Sequence, residues 1–232
     1  RPWLRLFTAR TLFVGGHWDQ ATHMLDELEA WLRTRPDVAD SALMLGRVAA
    51  DQASQAVVLG DVRQARDYAL QALDRMPADD LIQRMRVLAV LGMAYSRAGE
   101  LADAHPAFEQ AISLARQAGM DLAAVPFLCN LAMVQVDQGR LDDALATCQQ
   151  AAELGTVAGA TIAPAGYIGL VRGTIYYERN QLPEAERCLR EGIDLISGGG
   201  IAEAFGNLHA LLAQIMQAQG DSQAARALIR HA

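Results

Sequence analysis

The stretch Leu88-Ala89-Val90-Leu91-Gly92-Met93-Ala94-Tyr95, followed by Gly99 and then by Ala104, Phe108 and Ala111, decides the fold. Leu88, Leu91, Gly92 and Tyr95 before the turn, and Leu101, Ala104, Phe108 and Ala111 after it, recur at three- and four-residue spacing. That is the period of one buried helix face, written twice. Gly99 between the two runs tolerates the left-handed conformation that closes a helix. The stretch predicts two antiparallel helices joined by a tight turn.

The same marks recur along the chain. The anchor alanine reappears as Ala21, Ala65, Ala104, Ala144, Ala185 and Ala225, at spacings of 44, 39, 40, 41 and 40 residues. Twelve residues upstream stand Ala9, Ala53, Gly92, Ala132, Gly173 and Ala213, every one small. Five residues upstream stand Gly16, Gly60, Gly99, Gly139, Asn180 and Gly220, all residues that accept positive φ. Two helices can cross closely only where both present small side chains, since a Leu there drives the axes apart. The segment around Gly92 closely resembles the tetratricopeptide (TPR) pattern. The reading is all-α: a TPR-like superhelical solenoid of about six antiparallel helix pairs with a period near 40 residues. It forms one TPR-like repeat domain over residues 1–232, read as a fragment of a longer chain.

Smaller marks carry further expectations. Asp61, Glu100 and Asp221 follow turn glycines and suit the positive end of the next helix. Pro77 marks a helix stop after Leu73. Thr8, Gln52 and Arg172 stand where the pattern expects Leu, which predicts off-register packing in pairs 1, 2 and 5. Gly198-Gly199-Gly200 reads as a linker between pairs 5 and 6.

Composition narrows the function. The formal net charge is −7, and all 20 basic residues are Arg. An acidic chain lacks the basic face that direct nucleic-acid binding needs. No apolar run reaches membrane-spanning length. Cys129, Cys148 and Cys188 lie in apolar helical contexts without C-x-x-C spacing, which suits core packing in a reducing cytoplasmic compartment. The five histidines show no H-x-x-x-H pair, and His105 is expected on an exposed face. Neither a nucleophile elbow nor a phosphate-binding glycine motif is present, and carboxylate pairs such as Asp142-Asp143 fall at helix starts. The reading is a binding domain: no enzyme, no metal and no cofactor.

In a TPR array the first helix of each pair lines the concave side. The side chains expected there are Trp3, Leu6, Arg10, Phe13, Arg47, Ala50 and Ser54 from pairs 1 and 2. Pairs 3 and 4 supply Arg86, Met93, Ser96, Arg97, Cys129, Met133 and Asp137. Pairs 5 and 6 supply Tyr167, Thr174, Tyr177, Glu178, Asn207, Gln214 and Gln217. Aromatic faces with neutral donors and acceptors suit a polar, hydroxyl-rich ligand, so this last group, with Arg97, forms the candidate site. The competing reading is structural: the tyrosines pack and the amides are solvated. Tyr176, at a packing position, is expected in the core.

The segment Ile175-Tyr176-Tyr177-Glu178-Arg179-Asn180-Gln181-Leu182, with Glu184-Ala185-Glu186, resembles the TPR-like region of MalT-type regulators. These are large ATP-dependent LuxR-class bacterial transcriptional regulators. The opening Arg1-Pro2-Trp3-Leu4, the run from Gly60-Asp61 to Pro77, and Gly139-Arg140-Leu141 before Ala144 resemble it too. The resemblance implies a sensor module between an ATPase module and a helix-turn-helix domain of the same chain. Such a module binds a small inducer (maltotriose in MalT itself) or a regulatory protein, and self-association follows. The alternative is a TPR scaffold that docks a peptide or protein partner without sensing a small molecule.

Overall fold

A computed structural model describes residues 1–38, 40–157, 164–196 and 202–231. The described residues form twelve helices and no strand. In chain order they are α1 (Pro2–Val14), α2 (Trp18–Arg33), α3 (Ser41–Leu59), α4 (Val62–Arg75), α5 (Leu81–Arg97) and α6 (Leu101–Gln117). They continue as α7 (Asp121–Asp137), α8 (Leu141–Val157), α9 (Pro164–Glu178), α10 (Leu182–Ile196), α11 (Ala202–Ala218) and α12 (Ser222–His231). The chain divides into two compact units, Arg1–Gly119 and Met120–Ala232, each holding three helix pairs. Gly198-Gly199-Gly200 lies outside the described residues.

The turn inside each pair follows one design. Gly16, Gly60, Gly99, Gly139 and Gly220 have φ between 73° and 89°, and Asn180 has φ 57°. After each, the next residue donates its N–H to a carbonyl five positions back: His17 to Leu12, Asp61 to Ala56, Glu100 to Tyr95, Arg140 to Gln135, Gln181 to Tyr176 and Asp221 to Met216. These bonds run 2.8–2.9 Å and satisfy carbonyls that a helix end otherwise leaves open. Asp61 and Asp221 then cap the following helix, accepting from the N–H groups of Gln64 and Ala224. Glu100 occupies the equivalent position without a side-chain cap bond. α4 ends at Arg75, just ahead of Pro77.

Small residues hold the pairs together. Ala9, Ala53, Gly92, Ala132, Gly173 and Ala213 are buried, and so are all six anchor alanines. Added methyl groups have no room at the glycines. A Cβ on Gly92 would lie 2.9 Å from the Phe108 ring, and one on Gly173 would lie 2.5 Å from Leu189. At Gly169 the obstruction is backbone: Gly192 Cα at 2.8 Å and the Cys188 carbonyl at 2.9 Å. Such contacts let α9 and α10 approach more closely than Leu-lined helices could.

The seam residues of pairs 1, 2 and 5 are buried like those of the other pairs. Gln52, the most deviant residue, is buried and donates to Asp26 at 3.2 Å and Glu29 at 2.9 Å on α2. It replaces apolar packing with a polar bridge. His105 is half-buried rather than exposed, because its ring lies beside Glu109, 3.5 Å from Nε2, with Nδ1 buried. Cys129, Cys148 and Cys188 are buried free thiols. Burial pushes the Cys148 thiol up to about 12 and raises Cys129 and Cys188 as well.

Two measurements check this packing. Gly169→Ala should cost about 1–3 kcal/mol in denaturant unfolding through overpacking. Gly155→Ala, where a Cβ meets nothing within 4 Å, should instead stabilise α8 by about 0.4–1 kcal/mol. In a thiol-reactive dye at pH 8, the native protein should stay unlabelled while guanidinium exposes all three cysteines. Rapid native labelling would show that the seams around Cys129, Cys148 and Cys188 are open.

Candidate functional site

Within each unit the first helices touch one another. α3 packs on α1 and α5, and α9 packs on α7 and α11. The second helices reach only first helices among the described residues. The layer of first helices therefore presents a continuous outer face within each unit, and the register of each helix decides what that face carries.

In the second unit the face is polar and aromatic. Tyr167, Thr174, Tyr177 and Glu178 fall on α9 at spacings of seven, three and one residues, which puts them on one stripe. Asn207, Gln214 and Gln217 form the matching stripe on α11 at the same seven- and three-residue steps. Because α9 and α11 are in contact, the fold brings these seven residues onto neighbouring helices. Asn207, Gln214, Gln217 and Glu178 are exposed; Tyr167, Thr174 and Tyr177 are half-buried.

Not every polar group on this face is available to a ligand. The Tyr167 hydroxyl donates to Asn130 Oδ1 on α7 at 3.1 Å, tying two first helices together. Thr174 Oγ1 donates back to the Leu170 carbonyl at 2.9 Å, the usual arrangement for a hydroxyl inside a helix. Tyr177 packs its ring against the cluster built on Leu208, Leu212 and Ile215. The exposed amides of α11 are thus the most accessible part of the stripe. Asp137, exposed at the end of α7, belongs to the same face, and partial desolvation raises its carboxyl.

Other expected positions lie elsewhere. Arg97 belongs to the first unit, where its guanidinium donates to the Val57 carbonyl at the end of α3. It lines a cavity of about 320 Å³ with Arg63, Arg66, Tyr95 and Glu100. Leu6, Ala50 and Cys129, expected on the concave side, are buried instead, because they fall on the stripe that faces the partner helix. Tyr176 is half-buried and packs at the edge of the core, where it also lines a cavity of about 390 Å³ with Asp142, Gln149 and Arg172. Among the described residues, no group of three His, Cys, Asp or Glu side chains could hold a metal ion. No described helix is long and apolar enough to cross a membrane.

Asp80 belongs to one of the carboxylate pairs at helix starts and caps α5 by accepting from the Gln83 N–H. One residue on the first unit's face went unread in the sequence: Asp51, buried on α3. Asp51 had a signal. It interrupts the apolar run Val48-Ala49-Ala50 to Ala53 at a position where only a paired charge is tolerated.

Several solved structures share this architecture. NprR in complex with its cognate peptide NprX superposes with a TM-score of 0.79 at 14% identity, covering 99% of this chain and 65% of that one. The apo form of RapI gives 0.73 at 12% identity, covering 99% and 95%. A signal transduction ATPase with numerous domains and a TPR sensor, from Pyrococcus horikoshii, gives 0.76 at 13% identity. This chain is covered over 99% of its length there and spans 35% of that protein. No curated protein matches the chain in sequence. At such identities the structural likeness establishes the helical-repeat fold, while the family follows from sequence: a model described as the MalT-like TPR region matches residues 46–232. The chain belongs to the MalT-like TPR family.

Proposed function

We propose that the chain is the effector-sensing and protein-interaction domain of a bacterial transcriptional regulator. In this reading it binds a small inducer, a regulatory protein, or both, on the face of its first helices. The observation that carries the reading is the pair of polar stripes on the touching helices α9 and α11, in a chain of the MalT-like TPR family. Exposed Asn207, Gln214 and Gln217 offer neutral donors and acceptors on the helix next to the one that carries Tyr177, a combination suited to a polar, hydroxyl-bearing ligand. The sensor would work in the cytoplasm alongside ATPase and helix-turn-helix domains of the same regulator. Its occupancy would bias contacts with those domains and favour self-association.

A second reading has its own support. The NprR structure, which shares this fold over 65% of its length, is a complex with its cognate peptide NprX. A peptide docked across the first helices would use the same exposed amides for backbone hydrogen bonds. The sensor and docking readings therefore share a surface and differ in the ligand.

Thermal melting of the chain against a panel of sugars and metabolites, maltooligosaccharides included, separates the two. A ligand present at about 100 times its dissociation constant stabilises the folded state by about 2.7 kcal/mol, a readily measured shift. The sensor reading expects one chemical class to raise the melting temperature. A panel that leaves the curve unmoved, while a peptide or protein binds, would leave only the docking reading. With either ligand, Gln214→Ala should weaken binding about 5- to 10-fold, the loss of one neutral hydrogen bond. Since Gln214 is exposed, its unliganded melting temperature should match that of the wild type.

A further inference from the structure

The first unit carries a different chemistry on the equivalent face. Trp3, Arg47 and Arg86 each lie six residues before the small seam residues Ala9, Ala53 and Gly92, so they occupy one register position on α1, α3 and α5. The Arg47 guanidinium lies over the Trp3 ring at 5.8 Å from its centroid and donates to Asp80 at 2.6 Å. Beside them Arg10 of α1 grips Asp51 of α3 through Nε, at 2.9 and 2.7 Å from the two carboxylate oxygens. Three arginines from three successive first helices thus surround one buried aspartate.

Charge is unbalanced there. Arg10 is paired with Asp51 and Arg47 with Asp80, but Arg86 has only the Gln83 side-chain oxygen at 3.3 Å among the described residues. Arg86 is exposed at its surface, yet partial desolvation by its neighbours weakens its hold on its proton; repulsion from Arg10 and Arg47 adds to this, with Asp51 alone opposing it. Burial also raises the Asp51 carboxyl, against the hydrogen bond and charge of Arg10 and the charges of Arg86 and Arg47. Two donors in the cluster, Arg10 Nη2 and Arg47 Nε, are buried without an acceptor. Leaving a buried donor unsatisfied costs about 1–3 kcal/mol, so the cluster is not arranged for stability alone. A net surplus of guanidinium on a chain of formal charge −7 is a local feature, not a diffuse basic surface.

We propose that Arg10, Arg47 and Arg86 form an oxyanion site on the first unit, which accepts a carboxylate or phosphate group of a small ligand. A guanidinium fork presents parallel N–H donors at the spacing of two oxyanion oxygens, and Arg86 is the fork that no carboxylate of the chain occupies. An anion placed there restores the charge balance. The exposed edge of Trp3, 49% accessible, offers an apolar surface for the rest of the ligand. The site deepens the sensor reading by giving it an anionic ligand class, yet it stands on this cluster and not on α9 and α11.

Melting curves of the whole chain, taken with inorganic phosphate and with succinate at ionic strength held constant by chloride, test the site. The two anions distinguish phosphate from carboxylate recognition. At least one should raise the melting temperature saturably above the chloride control, and Arg86→Gln should weaken that binding about tenfold or more. Arg86→Lys keeps the charge and loses the fork, so it should fall between the two. Without anion, Arg86→Gln should melt at or above the wild-type temperature, since it removes repulsion from Arg10 and Arg47. No rise with either anion, or an equal rise in Arg86→Gln, would overturn the proposal. So would a lower unliganded melting temperature for that variant, which would make Arg86 a structural counter-charge for Asp51. A neutral sugar that stabilises the chain while both anions fail would reject this site and leave the sensor reading intact.

Discussion

Everything in this structure depends on how closely two helices can cross when one of them presents only a hydrogen or a methyl group at the contact. Gly92 against Phe108, Gly173 against Leu189 and Gly169 against Gly192 leave no room for a single added carbon. Each crossing needs its turn closed in a left-handed conformation, so that the second helix returns along the first without splaying. Gly is the natural residue there, and Asn180 is the one substitute, with φ 57°. Seam and turn act together: either alone would permit other geometries, and the pair of them fixes the helix hairpin.

That constraint also divides the labour among residues. Once the seam and the partner stripe are assigned to packing, the outer stripe of each first helix is freer to vary in chemistry. The position six residues before the seam illustrates this. It holds Trp3, Arg47 and Arg86 in the first unit and Pro126, Tyr167 and Asn207 in the second. A position with one structural address carries a cation, an aromatic ring or an amide. Such variety at a fixed address is what a recognition surface requires and what a packing position forbids.

The fold was legible in the sequence because its determinants are local and repeated. A small residue, a turn glycine and an anchor alanine recur at fixed offsets, and periodic noise cannot mimic three such marks six times. The candidate site was legible only in part. Asn207, Gln214 and Gln217 lie on the accessible face that the register indicates. Yet the Tyr167 hydroxyl is engaged by Asn130, and Arg97 reaches the Val57 carbonyl, because long polar side chains find partners across helices that periodicity does not specify. Leu6, Ala50 and Cys129 show the complementary limit: one residue of rotation, about 100° around a helix, turns an exposed position into a core one. At Gln52 the amide spans to Asp26 and Glu29 where the repeat pattern expects a leucine, a polar bridge that periodicity does not specify either.

The close crossing can be measured directly with a double-mutant cycle on Gly92→Ala and Phe108→Leu, read by denaturant unfolding. Each single change should destabilise, the first by overpacking against the ring and the second by leaving space where the ring was. In the double variant the new methyl group should occupy part of that space, so the combined loss falls short of the sum by about 1 kcal/mol or more. Strictly additive losses would mean that Gly92 and Phe108 do not share the crossing, and the account of the helix pairs would be contradicted.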